Sequence, residues 1–334
     1  MTTGRPGTAA AVPNAAYAGQ VVQFPDPVRA ERHPAGVRVD ESGHPDFAPY
    51  AAAVAEVADP PQGFGVDELR LTDYVSANAA LYTQGHPLWA DLETAVATPA
   101  GWTWHHVIGR APAGWRRMEL VPVEVKALLR HHGGLAVSTA DHTRRGTRPL
   151  QEHRPVHFPL ARDGGDPVAV TEDLVQRAEQ RLGHPLPAAY RDFLKLSGGR
   201  APAGVALDVD LGLLLDQPFL TLTEEYGVQD LVYANKCLRD HLTKDYLAVA
   251  YLQGGLLAVK VRGEQTGSVW FCPYDDARDE GGDETPEQRV ERLLLPCGDS
   301  FDAFLLRLAG SPSELETVAE LMVDGGFARA VPLN

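Results

Sequence analysis

The apolar positions change period along this chain. Residues 67–82 read as a helix on which Asp73, Ala77 and Ala80 share one face. Ahead of it, residues 43–58 (GHPDFAPYAAAVAEVA) read as a turn leading into a short Ala-rich helix. After the turn at Pro99-Ala100-Gly101, WTWHH at 102–106 reads as a strand. MELVP reads as a second short apolar segment, and EVKALLRHHGG as a helix with His131 near its end.

Further along, Thr171-Glu172-Asp173 is a helix start, and Leu174, Val175, Ala178 and Leu182 follow at helical spacing up to Gly183. A second helix begins after Pro187, carries Tyr190, Phe193 and Leu194 as its stripe, and stops at Gly198-Gly199. DYLAVAYL, GGLLAVKV and GSVWFCPY, divided by Gly-containing turns at 253–255 and 263–267, are successive antiparallel strands. Helices over 287–295, 300–308 and 312–323 close the chain.

This order predicts an α+β fold. C-terminal helices pack on an antiparallel meander sheet, and the N-terminal part is a small strand-hairpin-helix unit with added helices. With 334 residues, two domains are expected. The divisions are an Ala/Gly/Pro-rich segment at 1–37, extended or partly ordered; a first domain at 38–134; a polar linker or arm at 135–165; a second domain at 166–310; and a C-terminal helix and tail at 311–334.

Charge adds a contrast between the halves. The formal net charge is -15, which argues against nonspecific nucleic-acid binding by the whole chain. Residues 166–334 hold most of the excess acid, while 105–162 form a basic stretch that includes Arg110, Arg116, Arg117, Lys126 and Arg130. Such a stretch can meet phosphate or dock on the acidic half. Cys237, Cys272 and Cys297 are widely spaced and read as thiols in a reducing compartment. The N-terminus has no apolar core of a signal peptide, and no apolar run reaches the length of a membrane span. A cytoplasmic location without membrane contact is the expectation.

The stretch LVQRAEQRLGHPLPAAYRDFLKLSGG, the strands YLAVAYLQGGLLAVKVRGEQTGSVWFCPYDD and the helix DSFDAFLLRLAG together resemble the SUKH superfamily, named for the Smi/Knr regulators. The likeness covers roughly 168–310. It implies a binding module, since bacterial members are immunity proteins that neutralise nuclease toxins. An acidic surface carrying Asp275, Asp276, Asp279 and Glu280 would suit a basic nuclease partner.

The stretches GHPDFAPYA at 43–51 and TDYVSAN at 72–78, with WTWHH, MELVP, VEVK and HHGG between 102 and 134, resemble the WHH group of HNH-type nucleases found as bacterial toxins. The resemblance implies His105 as a metal ligand, His106 as the general base and His131 as a second ligand. Lys126 stands where a further histidine ligand belongs. A protonated amine has no lone pair to give and repels a cation. Adjacent strand residues also point to opposite faces, so His105 and His106 divide these two roles only on a distorted strand end.

Asp46, Asp73 and Asn78 read as residues that fix the fold. Lys126, Arg116 and Arg117 are phosphate-contact candidates. The resulting expectation is an immunity-type binding protein with a degenerate nuclease-like half and no cofactor. Its partner would be a nuclease toxin or its own N-terminal domain. The alternatives are an HNH nuclease with one divalent metal (Zn or Mg), held by its own fused inhibitor, and a non-cutting nucleic-acid binder of weak affinity.

Overall fold

The computed structural model describes residues 12–59, 65–134, 156, 158, 170–208, 210–223, 227–238, 240–279, 284–310 and 313–333. The fold is α+β, as the pattern predicts. The chain opens with β1 (Val21–Val22), α1 (Pro27–Arg32), β2 (Val37–Val39) and β3 (Pro45–Asp46), and the three strands form one small sheet in that order. Residues 12–37 thus already include a strand and a helix. Asp26 caps α1 by accepting from the N–H groups of Val28 and Arg29, both at 3.1 Å, which satisfies amides that the helix cannot.

Next come β4 (Ala53–Ala58), α2 (Val66–Thr83), β5 (Trp102–Val107), β6 (Trp115–Pro122) and the single turn α3 (Val123–Lys126). The expected Ala-rich helix at 43–58 is instead strand β4. Alanine favours helix intrinsically, but β4 lies between two strands and under α2, where small side chains pack closely. Tertiary pairing overrides so weak a propensity. The expected helix through His131 is also cut short. After Lys126 the chain leaves the helix, and the His131 N–H donates to the Tyr274 carbonyl at 3.1 Å. A contact with the C-terminal half therefore replaces intrahelical bonding.

The C-terminal half contains α4 (Glu172–Leu182), α5 (Ala188–Ser197), β7 (Ala206–Asp208), β8 (Leu213–Leu215), α6 (Leu231–Cys237), β9 (Tyr246–Leu252), β10 (Gly255–Lys260), β11 (Val269–Pro273), α7 (Pro286–Leu293), β12 (Leu295–Gly298), α8 (Phe301–Arg307) and β13 (Ala309–Gly310). Its meander sheet runs β12-β11-β10-β9, all antiparallel. Thr171 caps α4, and Gly183 (φ +78°) and Gly198 (φ +64°) end α4 and α5 in the left-handed region. Tyr190, Phe193, Phe219, Phe271 and Phe301 anchor the core between helices and sheet.

The chain then returns to its first half. Helix α9 (Ser313–Asp324) packs on α2, and β14 (Ala328–Val331) pairs with β4 to complete the sheet β14-β4-β6-β5. The N-terminal unit is built from both ends of the chain. Its core holds Tyr74, Trp89, Trp104, Leu315 and Ala319 and also takes in Val205, Leu207 and Leu214 from the other half. Strands β7 and β8 serve both sides: Leu207 and Leu214 face this core, while Ala206, Leu213 and Leu215 face the C-terminal one.

Candidate functional site

Strand β5 pairs with β6 in unbroken register from Trp102↔Pro122 to Val107↔Arg117. A regular pleat sends neighbouring side chains to opposite faces, and the two histidines separate accordingly. On the face toward α2, the His106 Nε2 lies 2.9 Å from Asp73 Oδ2. Asp73 is fully buried and also accepts from Arg116 Nε at 2.9 Å. Burial opposes the charge on Asp73, yet Arg116 and His106 hold its carboxyl below the usual carboxylate range. Trp104 points to the same face, its indole N–H donating to Asn78 Oδ1 at 2.7 Å.

On the other face His105 meets Phe47 and His131, with ring centroids 4.9 Å and 5.1 Å away. Both imidazoles are buried. Burial pushes the His131 pKa down to about 4 and His105 well below its ordinary value, with His131, Lys126 and His106 adding to the effect on His105. Both are therefore neutral at pH 7. His131 Nδ1 faces the Leu129 carbonyl at 3.1 Å. Among the described residues, His105 Nδ1 and His131 Nε2 have no hydrogen-bond partner.

Lys126 is also buried, at 2% exposure. Its ammonium donates to the Trp104 carbonyl. Burial lowers its pKa to about 8, while Asp275 pulls the other way. Strand β5 is the edge of its sheet, and an edge leaves backbone groups to be satisfied. Lys126 caps one of them. Gln253, at the end of the β9–β10 hairpin, caps another by accepting from the Trp104 N–H at 3.2 Å.

The halves meet along this edge. Gln217 Oε1 accepts from Gly101 N at 2.8 Å, and Asp216 Oδ2 from Thr98 N at 2.9 Å. Arg29 Nη2 donates to the Tyr251 hydroxyl at 3.2 Å, and His241 Nε2 lies 2.7 Å from the Ala127 carbonyl. Sequence reasoning singled out none of these residues as an interface. Glutamines in turns carry no periodic signal, and only the docked halves give them partners.

The remaining predicted residues have these positions. Arg116 gives its guanidinium to Asp73, to Asp59 at 2.7 Å and to the Ala58 carbonyl at 3.1 Å, rather than leaving it open to phosphate. Arg117 Nε lies 3.8 Å from Glu119. Asp275 accepts from Gly133 N at 2.8 Å across the interface. Asp276 pairs with Arg278 at 2.6 Å, and Asp279 is fully buried between Arg130 (3.2 Å) and Arg289. The acidic surface expected for a partner is thus partly turned inward: Asp279 answers the buried Arg130, Asp276 is held by the exposed Arg278, and Asp275 is half-buried against Gly133. Glu280 lies outside the described residues. Asp46 accepts from Ala48 N at 3.3 Å and pairs with Arg110 at 3.4 Å.

A divalent ion fits this donor set poorly. His105 and His131 offer neutral nitrogens, but the third position holds the Lys126 cation. Among the described residues, no three His, Cys, Asp or Glu side chains are grouped to hold a metal.

Comparison with known proteins agrees with the two-part architecture. Residues 169–307 match the SMI1/KNR4 family (SUKH-1), and residues 95–141 match a nuclease of the HNH/ENDO VII superfamily with conserved WHH. The chain carries a SUKH domain and a WHH nuclease-like domain. Comparison with curated proteins returns no match.

Proposed function

We propose that this chain is an immunity-type protein-binding protein whose WHH half is catalytically silent and serves as an intramolecular ligand of its SUKH half. The observation that carries this reading is the split of His105 and His106 onto opposite faces of an undistorted strand. A metal-held phosphate and an activated water must meet at one atom. A ligand on one face and a base clamped by Asp73 on the other do not converge. Lys126, beside the would-be ligands, supports the same reading, as do the contacts of Gln253, Gln217 and Asp275 with the WHH half. A cytoplasmic setting is part of the proposal and is supported by the free thiols of Cys237, Cys272 and Cys297. No helix among the described residues is long and apolar enough to cross a membrane. The external partner we propose is a nuclease toxin.

The test is cleavage and metal content of the full chain. Purified without chelator, it should carry less than one bound divalent ion per chain and leave plasmid DNA and RNA intact with Mg²⁺ or Zn²⁺ added. Metal-dependent cleavage would sink the proposal. Lys126→His refines the result. Metal uptake without cleavage places the block at the split histidines, and cleavage gained places it on Lys126 alone.

A second reading, an HNH nuclease held by its fused SUKH inhibitor, draws on one observation. Among the described residues, His105 Nδ1 and His131 Nε2 have no partner, and they belong to neutral rings 5.1 Å apart.

A further inference from the structure

We propose that the outer face of α9, with the turn that follows it, docks a basic amphipathic helical segment of a protein partner. This names the partner chemistry for the binding role above and rests on that reading. Leu315 and Ala319 turn inward onto α2, while Val318 and Leu321, three residues apart, turn outward at 36% and 65% exposure. Phe327, 53% exposed, extends this patch. Its ring folds back over the last turn of α9, so a Cβ added at Gly325 would lie 2.7 Å from the ring and 2.8 Å from the Leu321 carbonyl. Single exposed apolar residues are ordinary, but three close together form a surface that none of the described residues covers.

Among the described residues the rim is mainly acidic, and its nearby cation Arg329, two residues after Phe327, is held by Glu56 at 2.6 Å. Helix α9 presents Glu316, Glu320 and Asp324, all exposed, and contains no lysine or arginine. The loop beside it adds Asp91 and Glu93, held there by a hydrogen bond from Thr94 Oγ1 to Glu316 at 3.1 Å. An apolar stripe at helical spacing within an acidic rim complements a helix with leucines at i, i+3 and i+4 and lysines around them. The same charge would set two copies of the face against each other. It lies outside both family matches, whose limits are 95–141 and 169–307.

The test uses the full chain and a fluorescent helix-forming Lys/Leu peptide with that leucine spacing, followed by anisotropy. The wild type should bind, and raised salt should weaken binding. Glu320→Lys/Asp324→Lys and Leu321→Ser variants should each weaken it about tenfold, as should serine in place of the peptide's leucines. All three positions are solvent-exposed, and circular dichroism checks that the variants fold. Three outcomes overturn the proposal: no binding to the wild type, equal binding to the variants, or a dimer in sedimentation that Leu321→Ser abolishes. None of these readouts involves metal or nucleic acid, so failure here leaves the silent-site reading standing, and cleavage by the chain would not alter the peptide result.

Discussion

Lys126 donates its ammonium to the backbone carbonyl of Trp104, the residue just before the histidine pair. The lysine at the expected metal-ligand position therefore has a structural role, satisfying a backbone carbonyl on the buried edge of β5. Lys126→Met would keep the packing but leave that carbonyl without a donor. A loss of about 1–3 kcal/mol in urea unfolding is expected, the usual penalty for an unsatisfied buried group. Unchanged stability would show that the bond contributes nothing.

Asp73 holds two partners at once, His106 and Arg116. Asp73→Ala would remove the acceptor shared by the buried His106 and the half-buried Arg116, which keeps Asp59 and the Ala58 carbonyl, and about 1–3 kcal/mol of stability should be lost. Asp73→Asn, which keeps an acceptor, should lose less. Chemical denaturation of both variants orders them, and the reverse order would contradict the clamp.

Gln253 ties the SUKH half to the edge of the WHH half. In Gln253→Ala the Trp104 amide loses its acceptor, and its hydrogen exchange should speed up by about tenfold or more if the docked edge opens locally. Amides within β10 should be unaffected and serve as the internal control.

Acid should destabilise the docked halves through His241. Burial lowers its pKa from 6.5 to about 3. Between those values the unfolded chain binds a proton that the folded chain does not. Stability therefore rises with pH across this window and is lost as pH falls from 6.5 toward 3. In His241→Gln, which retains a donor for the Ala127 carbonyl, the acid-side slope of unfolding free energy should be shallower. An identical slope would assign the acid sensitivity to other groups.

Removal of residues 313–333 should unfold the N-terminal unit rather than trim a tail. It would expose the β4 edge and the core surface that Leu315 and Ala319 cover. A truncated chain with unchanged near-ultraviolet circular dichroism would refute this.

The two elements misread from sequence fail for related reasons. AVAEVA at 53–58 has helical composition, but β6 and β14 flank it, and β14 lies more than 250 residues further along the chain. EVKALLRHH has helical periodicity, but Tyr274 and Asp275 capture His131 and Gly133. In both cases a distant partner outweighs a local preference of a few tenths of a kcal/mol per residue. Where local signals act alone, as at Thr171, Gly183 and Gly198, the helix limits follow the sequence closely.

The chain by itself determined the α+β class, the two family likenesses and the residue types at the candidate site, because periodicity, caps and short motifs are local. It also contained the warning that adjacent strand residues diverge. Only the tertiary structure decided that β5 stays regular and separates His105 from His106, that Lys126 caps an edge carbonyl, and that the acidic residues Asp275 and Asp279 serve the interior. The β5 pairing and the Lys126 bond join neighbouring segments in three dimensions, Asp275 and Asp279 reach Gly133 and Arg130 from the other half, and burial away from water makes such groups satisfy one another.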